Sequence, residues 1–213
     1  MFISSWHVVI FSAFLYFKGG LIMKSYWEIR WHARGGQGAW TASQFLASAA
    51  LSVNKYFQSF PEFGAEREGA PIVAYTKISD VPIKNYSQVD EPDAVVVLDP
   101  TLFSQTPFLV GLKSDGFLIV NYPGEPDKLR EELKISSGIK LFTVNATKIA
   151  LETLKRPITN TTMAGALVRA TGILSFDDVI NEMVRSFTGK FKQEVIDANV
   201  SAIKRAYEEV KQG

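Results

Sequence analysis

Residues 32–41 read His-Ala-Arg-Gly-Gly-Gln-Gly-Ala-Trp-Thr, and they join two segments of different periodicity. Before this stretch, Tyr26 to Trp31 alternates like a β-strand. After it, Ala39 to Val53 carries apolar and small residues at helical spacing. The glycines therefore lie at a strand-to-helix turn, where backbone N–H groups and the positive end of a helix dipole are exposed.

The rest of the chain continues this alternation of strands and helices. Apolar and β-branched runs predict strands at 56–60, 72–78, 93–99, 116–122 and 140–144. Helical patterns lie at about 100–112, 127–133, 146–154, 161–171, 176–187 and 190–210. Continuous apolar runs such as Ala94 to Leu98 are typical of strands buried on both faces. We therefore predict an α/β fold of three layers, with a largely parallel or mixed sheet flanked by helices and a helical C-terminal region.

Composition narrows the classes of function. The 213 residues include no cysteine and two histidines, and the formal net charge is +1. The chain therefore has no thiolate ligand for a zinc site or an ordinary iron–sulfur cluster, and a multi-histidine metal site is not expected. A near-zero net charge does not favour nucleic-acid binding. We predict no metal site and no nucleic-acid partner.

The first 22 residues differ from the rest. Trp6 to Phe17 is almost wholly apolar, yet it is shorter than the roughly 20 residues that a membrane helix needs. The features of a secretory signal are missing as well. We interpret 1–22 as an extra N-terminal segment that results from an upstream start codon, with Met23 as the natural start. An added packing element or, less favoured, a membrane or export segment remain alternatives. Residues 23–213 are expected to form one cytoplasmic domain without a membrane partner.

The glycine turn is the first candidate site. Its glycines permit positive φ and a close ligand approach, which suits a phosphate or a carboxylate. The spacing matches neither G-x-G-x-x-G nor the Walker sequence. A packing turn, an anion site and a subunit-contact loop remain open. We interpret His32 as a structural hydrogen-bonding residue rather than a titrating one. The candidate anion-binding residues are Arg34, Gly35, Gly36, Gln37, Gly38 and Thr41.

Two further stretches are candidates for subunit contacts. Between prolines 61 and 71, three consecutive charges lie beside aromatic residues, as at many interfaces. Here Phe63, Glu66 and Arg67 are the candidate contacts. Asn160 begins a run of small residues that would cap a helix and permit a close helix–sheet crossing.

Together, the three stretches resemble the gamma subunit of 2-oxoacid:ferredoxin oxidoreductases, of which pyruvate:ferredoxin oxidoreductase is the best-known member. The resemblance covers about Met23 to the end, with the motifs in the family's order and spacing. The matching residues are Arg34 to Gly38 with Thr41 and Ala42, then Phe60, Pro61, Phe63, Gly64, Glu66, Arg67 and Gly69 to Pro71, and finally Asn160 to Ala166.

The resemblance implies a subunit of an enzyme complex that oxidatively decarboxylates a 2-oxoacid, most simply pyruvate. Thiamine diphosphate with Mg²⁺, iron–sulfur clusters and coenzyme A would serve the complex, and ferredoxin would accept its electrons. The implied partners are alpha, beta and delta subunits, and none of the cofactors is expected on this chain alone. The product would be an acyl-CoA such as acetyl-CoA, in anaerobic metabolism.

For this chain the resemblance implies a structural role and, at the glycine turn, help in binding a phosphate of coenzyme A. No catalytic residue is assigned, and the isolated chain is expected to be inactive. The alternative is a free-standing α/β protein that binds a phosphorylated metabolite at the same turn. The sequence does not decide which 2-oxoacid is used or the stoichiometry of a complex.

Overall fold

The computed structural model describes residues 24–62 and 69–213. Segment 1–22 lies outside these ranges, as do the predicted contact residues Phe63, Glu66 and Arg67. The described residues form one mixed sheet with helices on its two faces, which confirms the predicted three-layer α/β fold.

The sheet has seven strands in the order β2-β3-β1-β4-β5-β6-β7. Strands β1, β4, β5 and β6 are mutually parallel, whereas β3 runs antiparallel to both β1 and β2 and β7 runs antiparallel to β6. Their bounds are β1 Tyr26–Arg34, β2 Tyr56–Pro61, β3 Pro71–Ser79, β4 Ala94–Val97, β5 Phe117–Asn121, β6 Lys140–Val144 and β7 Lys211–Gln212.

The parallel strands carry the core on both faces. Val95 and Val97 point to one layer, while Val96 points to the opposite layer, as the two-residue period of a strand requires. All three side chains are fully buried, which confirms the prediction from the apolar run. The carboxyl ends of β1, β4, β5 and β6 therefore meet at one edge of the sheet, where α/β proteins commonly bind ligands.

The helices are unequally divided between the two faces. One face is covered by five helices and the larger core, while α2 and the segment after β4 cover part of the other. The helices are α1 Ala39–Ser52, α2 Pro126–Leu133, α3 Ala146–Leu154, α4 Asn160–Thr171, α5 Phe176–Phe187 and α6 Gln193–Glu209. Ser175 caps α5 by accepting a hydrogen bond from the Asp178 N–H.

Three predictions need correction, and one strand was not predicted. The segment 100–112 contains only a 3₁₀ turn at Pro100–Leu102 and not a helix, because Pro107 has no backbone N–H and cannot continue one. Strand β1 extends past Trp31 to Arg34, where it pairs with Pro71 of β3. Strand β7 was missed because its two polar residues give no pattern. Gly165 permits a close helix–helix contact rather than a helix–sheet one, since a Cβ there would lie 2.5 Å from the carbonyl oxygen of Ile203 in α6.

Candidate functional site

The glycine turn links β1 to α1 through two left-handed residues. Gly36 has φ +91° and Gly38 has φ +82°, conformations that side chains with a Cβ disfavour. Among the described residues, no atom lies within 4 Å of a Cβ placed on Gly36, so this residue borders open space. A Cβ on Gly38 would lie 2.7 Å from Nδ2 of Asn160, the first residue of α4. Gly38 therefore allows the amino ends of α1 and α4 to approach each other.

Gln37 closes the turn and ties it to the neighbouring strand. Its Oε1 accepts a hydrogen bond of 2.8 Å from the Arg34 N–H, and its Nε2 donates one of 2.6 Å to Oδ2 of Asp99, which follows β4. On the other side of the turn, the Gly35 N–H donates to the Ala70 carbonyl. These bonds fix the glycine turn from both sides.

Asp99 is the acceptor at the centre of this network. Burial acts to raise the pKa of Asp99, but hydrogen bonds from Thr101 and Gln37 and the charge of Arg34 outweigh it and hold the pKa below its ordinary value. The carboxylate accepts from the Thr101 N–H at 2.9 Å and from its hydroxyl at 2.7 Å. Asp99 is therefore ionised at neutral pH and is a weak base.

Arg34 is engaged within the chain. Its Nε and Nη2 donate to the Thr101 hydroxyl at 2.9 and 2.8 Å, Nη1 donates to the Gly69 carbonyl, and Nη2 also reaches Gln105. Nε lies 3.4 Å from Oδ2 of Asp99. Much of the Arg34 charge is thus shared with Asp99, so the backbone N–H groups become the stronger candidates for contact with an anion.

A cleft of about 450 Å³ opens between the glycine turn and the carboxyl ends of β4 and β5. Asn121, the last residue of β5, donates 2.8 Å hydrogen bonds to the Leu98 carbonyl and the Thr147 hydroxyl, and its Oδ1 accepts from the Thr147 N–H. The lining residues are Gly36, Gln37, Leu98, Asp99, Pro100, Asn121, Thr147, Pro157, Ile158 and Thr159.

The structure brings together most, but not all, of the predicted anion-binding residues. Arg34 to Gly38 form one turn, of which Gly36 and Gln37 line the cleft, while Thr41 lines a separate groove with Asn160. Asn160, predicted as a subunit contact, contacts the glycine turn of its own chain, and its Oδ1 accepts from the Thr161 N–H. Asp99, Asn121 and Thr147 were missed, although Asp99 and Asn121 each directly follow a buried apolar run.

Two helices begin beside this cleft without a side-chain cap. Gly38, the N-cap residue of α1, has no side chain, and the side chain of Thr159 does not cap α4, although Asn160 Oδ1 accepts from the Thr161 N–H within the first turn of α4. By contrast, Asn145 caps α3 by accepting from the Lys148 N–H. Uncapped first turns leave N–H groups and partial positive charge for a ligand. The arrangement therefore suits binding of a group that is anionic at one end, rather than acid–base chemistry.

His32 lies inside β1 and is 6% exposed. Burial, and secondarily the charge of Arg30, lowers the pKa of His32 to about 3. Nε of Arg30 donates to Nε2 of His32 at 3.1 Å, which requires a neutral imidazole acceptor. The geometry agrees with the structural interpretation of His32.

Neither a metal centre nor a membrane helix is found in the part of the chain that the structure describes. Residues 24–62 and 69–213 contain no cluster of three or more His, Asp or Glu side chains placed to hold a metal ion. Within the same ranges, each helix is too short or too polar to cross a bilayer.

Comparison with known proteins identifies close relatives. The family model for pyruvate ferredoxin/flavodoxin oxidoreductase matches residues 28–209. Pyruvate synthase subunit PorC of Thermotoga maritima is 50% identical over 190 residues, which cover 89% of this chain and 97% of the relative. The common subunit gamma of the pyruvate/ketoisovalerate oxidoreductases of Pyrococcus abyssi is 46% identical over 181 residues, which cover 85% of this chain and 95% of the relative.

A solved structure shares the fold. The crystal structure of subunit PORC of the Thermotoga maritima pyruvate oxidoreductase superposes with a TM-score of 0.77 at 46% identity. The match covers 89% of this chain and 99% of that one. Sequence and fold comparisons therefore agree over the same large part of the chain.

Proposed function

This chain belongs to the pyruvate ferredoxin/flavodoxin oxidoreductase family as a gamma subunit, and we propose that its complex converts a 2-oxoacid, most simply pyruvate, to acyl-CoA while reducing ferredoxin. The observation that carries the proposal is the match to gamma-type relatives over nearly their whole length. Alpha, beta and delta subunits are the proposed partners, in the cytoplasm.

The division of labour follows from the residues present. This chain has no cysteine, and its buried histidine is neutral. The iron–sulfur clusters, which need cysteine ligands, are therefore assigned to the partner chains, where they would supply electron transfer. Thiamine diphosphate with Mg²⁺ is assigned to the partner chains as the family resemblance implies, and it would supply the decarboxylation chemistry there. The proposed role of this chain is to build the complex and to help position coenzyme A.

Purification of the full chain with an affinity tag, from cells that express its neighbours, tests the proposal. We expect three further polypeptides to co-purify, and we expect the complex to reduce ferredoxin only when a 2-oxoacid and coenzyme A are both present. The isolated chain is expected to be inactive. Activity of the chain alone, or a complex inactive with pyruvate, 2-oxoisovalerate and 2-oxoglutarate, would overturn it.

The proposed contact with coenzyme A rests on the backbone of the glycine turn. The N–H groups of Gly36 and Gly38 donate to no atom of the described residues, and Gly36 borders open space. They lie beside the uncapped start of α1, where a phosphate would be favoured by the helix dipole. An anion held here would lie near the ionised Asp99, which Gln37 and Arg34 partly neutralise.

The substitution Gly36→Asp tests this contact by placing a negative charge where the phosphate is proposed to bind. We expect the KM for coenzyme A to rise roughly tenfold, equal to about 1.4 kcal/mol, with the KM for the 2-oxoacid unchanged. Gly36→Asn is the matched control, because it has the same shape and backbone strain without the charge. Gly172→Asp controls for an added charge at a glycine outside the cleft and the groove, with φ +64° and no described atom within 4 Å of an added Cβ. An unchanged KM for coenzyme A in an assembled Gly36→Asp complex would exclude the contact.

A further inference from the structure

An apolar groove lies next to the glycine turn but outside the cleft. It encloses about 630 Å³ between the first turns of α1, the end of α3 and the start of α6. Its walls are mainly aliphatic and aromatic. The apolar lining residues are Phe45, Leu154, Ile158, Phe187, Phe191, Val195 and Ala198.

Several of these side chains are exposed to solvent although they are large and apolar. Phe191 is 52% exposed and Ile158 is 42% exposed. Phe191 packs on Phe187 with the ring centroids 4.7 Å apart, so the two rings form a fixed wall rather than isolated surface residues. A contiguous apolar surface of this kind marks an interaction site more often than a solvated surface.

The rim of the groove is basic. Lys155 and Arg156 line the groove on the α3 side. Lys190 and Lys192 do not line it, but they precede and follow the lining residue Phe191 in the sequence. None of these four forms an ion pair with another described residue. Glu194 is the acidic residue that lines the groove. The groove therefore has an excess of positive charge around an apolar floor.

We propose that this groove receives an amphipathic helix from another subunit of the complex, with an apolar face and acidic flanking residues. The inference rests on the proposed function, which supplies the partner chains. The lining residues belong to helices or their connections, so the groove offers no strand edge for β-addition. A helix satisfies its own backbone hydrogen bonds and needs only an apolar groove with matching charge. A second copy of this chain fits poorly, because a twofold contact would bring the same basic rim against itself.

The test compares variants for their affinity to a complex that lacks this chain, measured by biolayer interferometry. Phe191→Glu places a negative charge beside the apolar wall that the helix face must cover, and we expect it to weaken binding at least tenfold. Arg156→Glu reverses the charge of the rim and is expected to weaken binding severalfold, more at low salt than at high salt. Tyr86→Glu, an exposed aromatic residue at 80% exposure in a loop, is the matched control and is expected to bind like the wild type.

The outcomes separate this inference from the proposed function. If the wild-type chain does not bind the partner chains at all, the proposed function fails. If the wild type binds and Phe191→Glu and Arg156→Glu both bind within twofold of it, the groove is not the contact. Light scattering of the purified chain provides a second readout, and a dimer that Phe191→Glu dissociates would overturn the assignment to another subunit. Equal melting temperatures of the variants would show that the substitutions leave the fold intact.

Discussion

Burial raises the pKa of Asp99, whereas the hydrogen bonds that its carboxylate accepts lower it. Asp99→Asn leaves either the Thr101 donors or the Gln37 donor without an acceptor, because the amide nitrogen of asparagine cannot accept a proton, and it removes the charge that faces Arg34. We expect the free energy of unfolding, measured by urea titration at pH 7, to fall by about 1.5–3 kcal/mol. Asp115→Asn, at an exposed position, is the control and should change it little.

The low pKa of Asp99 also predicts that its contribution to stability depends on pH. The folded pKa of Asp99 lies below its unfolded value, so its contribution is present above about pH 4 and is lost as the pH falls through the folded pKa. The difference in stability between wild type and Asp99→Asn should therefore shrink at acidic pH. A difference that stays constant down to pH 2 would contradict the ionised state that we assign.

The buried His32 is expected to make the free energy of unfolding depend on pH in a second range, above that of Asp99. Its folded pKa is about 3 against an ordinary value of 6.5, so between these values the unfolded chain binds a proton that the folded chain does not. The free energy of unfolding should fall as the pH is lowered below 6.5, by up to about 1.4 kcal/mol per pH unit from this group. His32→Gln keeps an acceptor for Arg30 but does not titrate. We therefore expect the free energy of unfolding, measured by urea titration at pH 7 and pH 5, to change less with pH in this variant than in the wild type. An equal change with pH in the wild type and in His32→Gln would contradict a neutral, buried imidazole.

At the scale of elements, the junction of α1 and α4 depends on a missing side chain. Gly38→Ala introduces both a left-handed alanine, which costs about 1–2 kcal/mol, and a contact with Asn160. Gly172→Ala has the left-handed cost alone, because nothing lies within 4 Å of a Cβ there. We expect Gly38→Ala to lose more stability than Gly172→Ala, as measured by urea unfolding. If the contact with Asn160 causes the difference between the two variants, adding Asn160→Ala to Gly38→Ala should restore that part of the stability. No gain in stability would show that the left-handed backbone alone is responsible.

Local pattern predicted the elements well where one signal dominates. The run Ala94 to Leu98 predicts a buried strand, and the alanine-rich helix after the turn begins at Ala39 as expected. It failed where two signals compete: the apolar spacing after Pro100 favours a helix, but Pro107 removes a donor and only a 3₁₀ turn forms.

Sequence reasoning found only part of the site because the rest depends on chain segments that are distant in sequence. The glycines are a local signal and were identified. Asp99 meets Gln37 across 62 residues, and Gly38 meets Asn160 through the packing of two helices. Those contacts require the strand order, which no single sequence pattern specifies. The groove beside the turn was missed for the same reason, since it joins residues of α1, α3, α5 and α6.

At the scale of the whole molecule, the choice of 2-oxoacid is expected to lie with the partner chains. The proposed contact of the glycine turn is with coenzyme A and not with the 2-oxoacid. Gly36→Asp should therefore leave the ratio of kcat/KM for pyruvate to that for 2-oxoisovalerate within about twofold of wild type, at saturating coenzyme A. A larger change would mean that this chain contributes to the 2-oxoacid site.

Strand β1 pairs antiparallel with β3 on one side and parallel with β4 on the other, and this has a consequence for the nascent chain. Strand β1 leaves the ribosome before its neighbours β3 and β4, and its apolar side chains Trp27, Ile29 and Trp31 are then uncovered. At about 5–20 residues per second, synthesis from Arg34 to Ser79, where the first neighbouring strand β3 ends, takes roughly 2–9 seconds. During that time β1 is an apolar strand without a partner strand, and we expect it to be exposed to chaperones that bind during translation.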